Sequence, residues 1–574
     1  MNNNKQILLG FLLFVIVICY SISIQAAQSA TYELTTSMNP EPHLKVRLSL
    51  DGYAGNVKWL LPRYLGKWND LYKNVQRLRC HDAHNNELQV AYDNEYTINI
   101  EPADNIVCNY IVTSDCKKLT PSTRHKPVFR RGYFYLFGEH FVISPMDASH
   151  LEDNVTVIVN LPHGWRDLST WSKIGKSKKD KKWNDLENAI FALGDYRLKS
   201  KKVDGKKLQV VLRGEWALSD RAIARRVRNI MKYINDLWDS RISDEYFVFI
   251  SQYDRGSSSG WYNGTMRGDA IALELSPGIS FNNTFDGSIA HEYFHNWNGG
   301  VIEVGCKNEI DCYWFQEGAT SYFANIIVSN QSFDSMDTFL GYLTSKIGAY
   351  LNNTMKGTTY SKIRDCFWKD SACYNYVYDR GYLLSWMLDY ELRKRSGGKK
   401  SLFGYLKYLL SLAGKSKYIY DDDKLFNSIN AYSGVDFSSF WKKYIRGSEE
   451  LPVMEYLTEC GVEMKPARKV RPDYGFKMNI LIGENRATVD TVDIGGAAWK
   501  AGLRPDDQLT GHSVYWGEFG KKAKLYISQD DGSSKKILFY PTKREEVEYS
   551  YEFKPKGRDV GMGISDMLRL KNDK

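Results

Sequence analysis

Histidine is scarce in this chain, ten among 574 residues. Composition alone therefore places two of them four apart around a glutamate in roughly one such chain per hundred. No Cys-x-x-Cys pair occurs among the nine cysteines, which removes the knuckle spacing of a structural zinc cluster and favours disulfides. The lysine runs at 173–182 and 199–207 lack interleaved arginine and aromatic side chains. The formal charge of +9 thus sits in stretches that read as solvated loops, and no nucleic-acid partner is expected. With 43% hydrophobic residues the chain is neither disordered nor fibrous, and its length accommodates about three to four domains. Aromatic residues reach 14%, with fifteen Trp, and read as core and cleft lining rather than a carbohydrate platform.

The first residues carry Lys5, an apolar run over 7–24, and the small-residue stretch Gln25-Ala26-Ala27-Gln28-Ser29-Ala30. This reads as a secretory signal peptide over 1–27, and so as export to a periplasm or the exterior. The rival reading is an uncleaved anchor, the one case in which a membrane would be a partner. Cys19 would leave with the signal, and an even set of eight cysteines would remain. Cys306 with Cys312 and Cys366 with Cys373 are close enough to close small loops, and Cys108 with Cys116 is a third candidate pair.

What is present points to one chemistry. In His291-Glu292-Tyr293-Phe294-His295 the two imidazoles fall on one face of a helix, one turn apart, with Glu292 beside them. Glu317, in Trp314-Phe315-Gln316-Glu317-Gly318, is the expected third ligand of a single catalytic Zn2+. Its own stretch is helical, with Tyr322, Phe323, Ile326 and Ile327 as the buried side. Two His and one Glu leave a position open for water, and Glu292, free of the metal, is the expected general base.

Along the chain, short alternating runs at 44–50, 107–112, 132–137 and 155–159 predict a β-rich, sandwich-like domain over 28–185. A strand at 208–212, a helix from Ser219-Asp220 to Trp238, and strands at 246–250 and 270–275 predict a small sheet before the zinc helix. Helices follow at 336–351, 381–392, 402–412, 423–430 and 437–445. A small sheet followed by helices, over 186–464, suits a thermolysin-like peptidase body, and residues 256–274 are the candidate edge strand for an extended substrate. Past about 465, Tyr474-Gly475-Phe476-Lys477 and then Gly495-Gly496-Ala497-Ala498-Trp499-Lys500-Ala501-Gly502-Leu503 look like a PDZ domain over 465–555, whose groove would take a peptide terminus. Residues 556–574 read as a C-terminal tail. The expected fold class is multidomain α+β.

Several stretches together resemble the glycyl aminopeptidase family of gluzincin zinc metallopeptidases. They are His291-Glu292-Tyr293-Phe294-His295-Asn296-Trp297-Asn298, Glu317-Gly318-Ala319-Thr320-Ser321-Tyr322, Tyr378-Asp379-Arg380-Gly381, Asp436-Phe437-Ser438-Ser439-Phe440 and the PDZ-like stretch. The resemblance spans about 200 to 550. It implies zinc on His291, His295 and Glu317, Glu292 as base and then proton donor, and Tyr378 as oxyanion donor, with Tyr374 and Tyr376 as rivals. Peptides or proteins would be the substrates. Two departures stand out. The family places a Gly-Gly-Leu-Glu-His-like segment on the edge strand, its Glu binding a free amine, where this chain reads Ser257-Ser258-Ser259-Gly260-Trp261-Tyr262-Asn263-Gly264. Glu274 and Asp269 are the candidate replacements. After the zinc helix, Gly299-Gly300-Val301-Ile302-Glu303-Val304 replaces a basic stretch. Without the amine-binding Glu the balance moves toward an endopeptidase. The alternative is a catalytically silent protein that binds peptides in the PDZ groove.

Overall fold

The computed structural model describes residues 28–570 apart from 54–55, 67, 121–122, 172–180, 241–242, 255–261, 278, 280, 414–417, 482–485, 516–518, 530 and 554–562. The expected signal segment lies outside the described residues. Among those described, no helix is long and apolar enough to cross a membrane.

The chain divides into two compact units. One comprises residues up to 115 together with 125–196, the other 116–124 with everything from 197 onward. The first is β-rich. Its largest sheet has six strands, with Ser29–Ser37 parallel to Asn154–Asn160 and antiparallel to His43–Asp51, which pairs in turn with Asn105–Val112. Alternation drives this: Tyr32, Leu34, Val46, Leu48 and Leu50 are buried while their neighbours face out. Two four-stranded sheets complete the unit. It extends past the expected boundary at 185, because Ile190–Gly194 pairs with Tyr133–Phe137 as a fully buried strand.

Two sequence expectations are corrected here. Cys108 pairs with Cys80, which stands directly opposite it on the adjacent strand, and not with Cys116. Cys116 and Cys460 are buried and in no disulfide, while Cys306–Cys312 and Cys366–Cys373 form as expected. The second lysine run is a hairpin rather than a loop: β1 (Arg197–Val203) pairs antiparallel with β2 (Lys206–Arg213). Lys199 and Lys202 are exposed on β1, an edge strand, where they discourage pairing with another chain.

The second unit starts with that hairpin. A helix, α1 (Asp220–Trp238), is capped by Ser219 and lays Ile223, Val227, Ile230, Ile234 and Leu237 on the sheet. Strands β3 (Glu245–Gln252), β4 (Tyr262–Arg267) and β5 (Ala270–Leu275) complete the sheet in the order β1-β2-β3-β5-β4. β4 is thus an edge, antiparallel to β5. Helices α2 (Asn283–Phe294), α3 (Tyr313–Gln331), α4 (Ser335–Asn352) and α5 (Ser371–Arg395) follow, so α5 starts ten residues before the stretch expected from periodicity. One core joins sheet and helices.

From Val462–Asp473 the chain runs out along a two-stranded arm, completed by Thr542–Phe553, to a five-stranded antiparallel sheet that begins with β6 (Phe476–Leu481) at one edge. Residues 563–570, expected as a tail, return to the core instead. Ile564, Met567 and Leu570, spaced three apart, are buried in it, and Asn330 Nδ2 donates to the Leu568 carbonyl at 3.0 Å.

Candidate metal centre

α2 is capped by Asn282, whose side chain accepts from the Thr284 N–H at 3.0 Å. Arg226 of α1 holds Asp286 in its first turn, with Nη2 to Oδ2 at 2.6 Å. Ile289, Ala290, Tyr293 and Phe294 are buried, which turns His291, Glu292 and His295, all half-buried, to the other side. The helix ends at His295, its C-cap.

Beyond it, Asn298 fastens the helix end to the start of α3. Its Nδ2 donates to the carbonyls of Phe315 and Gln316, each at 3.1 Å, and to Thr320 Oγ1 at 3.0 Å. Glu317 lies between those contacts, so one buried amide sets its position relative to the two histidines. The Asn298 carbonyl meets His295 Nδ1 at 3.0 Å. A carbonyl only accepts, so Nδ1 carries the proton and Nε2 presents its lone pair. Ser321 Oγ is 3.3 Å from His291 Nδ1 and leaves that Nε2 facing inward too.

The inward atoms converge. His291 Nε2 is 3.0 Å from His295 Nε2 and 3.2 Å from Glu317 Oε2, and His295 Nε2 is 3.6 Å from Glu317 Oε1. Ligands about 2.0–2.1 Å from one tetrahedral ion stand about 3.3 Å apart, so this donor set fits a zinc-sized ion. Among the described residues no other group of three or more His, Cys, Asp or Glu side chains converges in this way. Without an ion, protons hold the site together. Burial acts to lower the His295 pKa, but Glu317, then Glu292 and the Asn298 carbonyl, push it up to about 9. Burial acts to raise Glu317, yet the two imidazoles hold it well below the usual carboxylate range.

Glu292 faces β4. Burial raises its pKa, and the two histidines and, least of all, the nearby Met266 backbone oppose that rise. The close fit depends on Gly264: a Cβ there would stand 2.5 Å from Glu292 Cγ and Oε1. The Gly264 contact was not legible in the sequence, since it depends on which strand takes the edge.

α5 reaches the site because α3 and α5 cross at Gly318 and Gly381, where a Cβ on Gly318 would lie 2.3 Å from the Gly381 carbonyl carbon. Tyr378 and Tyr374, one turn apart, lie together with ring centroids at 4.8 Å. Burial lifts the Tyr378 phenol well above its ordinary pKa, and the Glu317 charge adds to the rise. Tyr376 lies on the other side of the helix, stacked on Tyr350 at 6.0 Å, and is not brought to the site. Tyr313 is an addition. It precedes Glu317 by one helical turn, and its ring lies 6.4 Å from that of Tyr378; the spacing of four from Glu317 was the signal that could have found it.

The candidate amine partners do not join this cluster. Glu274 is 1% exposed and opposite Asn263, on the sheet face away from Leu273 and the core, with Asn263 Nδ2 at 3.5 Å. Asp269 sits in the turn between β4 and β5, where its charge acts on Tyr246 and Tyr293. Residues 257–261 of the departing segment lie outside the described residues.

A convergent His, His, Glu set beside a half-buried glutamate defines a site able to hold one divalent ion. The sequence profile of the M61 glycyl aminopeptidase family matches residues 284–383, the stretch from α2 through the site-facing part of α5. No curated sequence is similar enough to this chain to count as a match. In fold the chain is similar to the crystal structure of an aminopeptidase N family protein from Idiomarina loihiensis. The TM-score is 0.71 at 16% identity, covering 94% of this chain and 99% of that one. A mutant M1 zinc metallopeptidase from Deinococcus radiodurans, bound to Tyr-Ser-Ala, matches with a TM-score of 0.46 at 13% identity, over 74% of this chain and 95% of that one.

Proposed function

We propose that this chain is an exported gluzincin-type zinc peptidase that hydrolyses peptide bonds, with His291, His295 and Glu317 holding one zinc ion. The observation that carries the reading is the convergence of three donor atoms, all within 4.8 Å of one another, next to a glutamate outside that set. When bound, zinc supplies Lewis acidity toward a water and a peptide carbonyl. Glu292 takes a proton from the attacking water and returns it to the leaving nitrogen, a role suited to a carboxyl whose pKa burial has raised. Tyr378, its phenol kept protonated by burial, donates to the carbonyl oxygen as negative charge builds there. A peptide adds as a strand to the open edge of β4, which aligns its backbone beside Glu292.

The six residues of β4 include no carboxylate, so the strand offers no partner to a substrate ammonium group, and internal cleavage is favoured over trimming from the amino terminus. Export to a periplasm or the exterior is supported by the signal-like residues 1–27 and by three disulfides. In the PDZ-like reading of the five-stranded sheet, a peptide terminus pairs with the edge strand β6. The Gly475 N–H already donates to Asp473 Oδ1 at 2.9 Å, so strand pairing outweighs carboxylate capture there.

The test is mass-spectrometric mapping of cleavage on peptides with free and with acetylated amino termini, with and without a zinc chelator. Chelator-sensitive internal cuts in both sets are expected, and Glu292→Gln abolishes them while retaining zinc. Unchanged turnover in that variant sinks the mechanism; stepwise loss from free termini alone overturns the endopeptidase part.

A further inference from the structure

The five-stranded sheet has one face turned to its own core and one to solvent. Its last two strands are β7 (Ala523–Ser528) and β8 (Ser534–Phe539), antiparallel, with β8 at the edge opposite β6. Ala523, Leu525, Ile527, Ile537 and Phe539 are buried in the core of this sheet. Strand alternation therefore sends the residues between them outward. Register places Lys524 opposite Leu538 and Tyr526 opposite Lys536. One step further, Lys522 Nζ lies 5.0 Å from the centre of the Tyr540 ring. Three cation and apolar pairs thus stand side by side, with the lysine changing strand between the second pair and the third.

None of the three apolar members is covered. Tyr526 is 37% exposed, Leu538 44% and Tyr540 53%. The neighbouring strand Gln508–Ser513 contains no acid. Between Phe519 and Arg544 the acids are Asp530 and Asp531, in the turn joining β7 to β8, at the end away from Lys522 and Tyr540. Asp531 accepts from the Ser533 N–H at 2.9 Å and so serves its own turn.

We propose that this face docks on an anionic phospholipid surface. Lysines lay their stems along apolar neighbours and hold the ammonium group at headgroup level. Each lysine is attracted by the negative surface potential, and Tyr rings favour the same interfacial layer. Leu538, between Lys524 and the two tyrosines, enters the acyl boundary. A hydrated polyanion such as a uronic-acid polysaccharide would satisfy the lysines and leave the exposed apolar side chains without a partner. Docking here needs neither a membrane-spanning helix nor the metal centre, so its test is independent of the peptidase reading.

The experiment is sedimentation of the full chain with vesicles of phosphatidylcholine, alone or with an equal share of phosphatidylglycerol. The readout is the ratio of the two partition coefficients, since an uncleaved leader inserts into both vesicles alike. Three lysines at about fivefold each give an expected ratio of about a hundredfold at about 0.1 M salt, falling to within about threefold at about 1 M. Replacing Lys522, Lys524 and Lys536 together by Glu brings the ratio to within about threefold, and Lys524→Gln alone lowers it about fivefold. Tyr526→Ser with Leu538→Ser and Tyr540→Ser weakens binding to the anionic vesicles about tenfold. Lys199→Glu with Lys202→Glu, on the exposed edge of β1, leaves the ratio near wild type. A wild-type ratio near one overturns the proposal, as does a ratio that survives the three Glu substitutions or is lost in the Lys199 and Lys202 variant. Silent Tyr and Leu substitutions, or retention by a soluble uronic-acid polysaccharide without retention by vesicles, overturn the lipid assignment. If the triple variants do not fold, the wild-type ratio and Lys524→Gln decide.

Discussion

Helices α2 and α3 bring side chains to the site, whereas β4 brings backbone and the lack of a side chain. On the helices, His291, His295 and Glu317 point three donors inward to within 4.8 Å of one another, and the outer nitrogens of the two histidines are fixed by Asn298 and Ser321. On the strand, Gly264 leaves room for Glu292. The helical wall tolerates no change of residue type, because the chemistry lies in the donor atoms. The strand wall tolerates no added volume, because its contribution is distance.

Breaking the helical wall carries the largest expected effect. His295→Ala removes one of three ligands, so turnover and bound zinc are lost together; metal analysis that finds one equivalent of zinc after dialysis contradicts the assignment. Glu292→Gln separates the two functions, keeping the metal while kcat falls by about 10²–10⁴-fold. Tyr378→Phe lowers kcat by about a hundredfold, and Tyr376→Phe, on the far side of the same helix, leaves kcat near wild type. Equal losses in both point to disturbance of α5 rather than to a phenol acting on substrate.

The strand wall gives smaller effects with a distinct signature. Gly264→Ala pushes Glu292 aside and is expected to lower kcat by about ten- to a hundredfold at full zinc content; loss of zinc instead transfers Gly264 to the helical wall. The gentlest probe is pH. The metal-free His295 titrates at about 9, and its proton must leave before an ion binds. Zinc affinity therefore rises with pH, by about tenfold per unit below that value, and levels off above it. Competition titrations between pH 6 and 8 check the slope, and a flat line breaks the assignment.

Legibility in the sequence followed the range of the interactions. Ser219 as a cap and the helix to Trp238 came out as expected, because cap and periodicity are local. The pairing of Cys108 was misread, since its partner lies on a neighbouring strand 28 residues away. The lysine run at 199–207 reads as a loop by composition yet forms an edge hairpin, because the neighbouring β2 supplies the pairing that composition does not reveal. Residues 563–570 look like a tail because four apolar residues in a short stretch signal little without the core that receives them.

The spacing of His291 and His295, the glutamate between them and the helical setting of Glu317 were determined by the sequence alone, since the period of a helix decides which side chains share a face. Tertiary structure decided the rest. Asn298 set the distance from the histidines to Glu317, the Gly318–Gly381 crossing brought Tyr378 in and left Tyr376 out, and the strand order put Gly264 on the edge beside Glu292. Each of these joins elements distant in the chain, and their closeness comes from packing that no local pattern encodes.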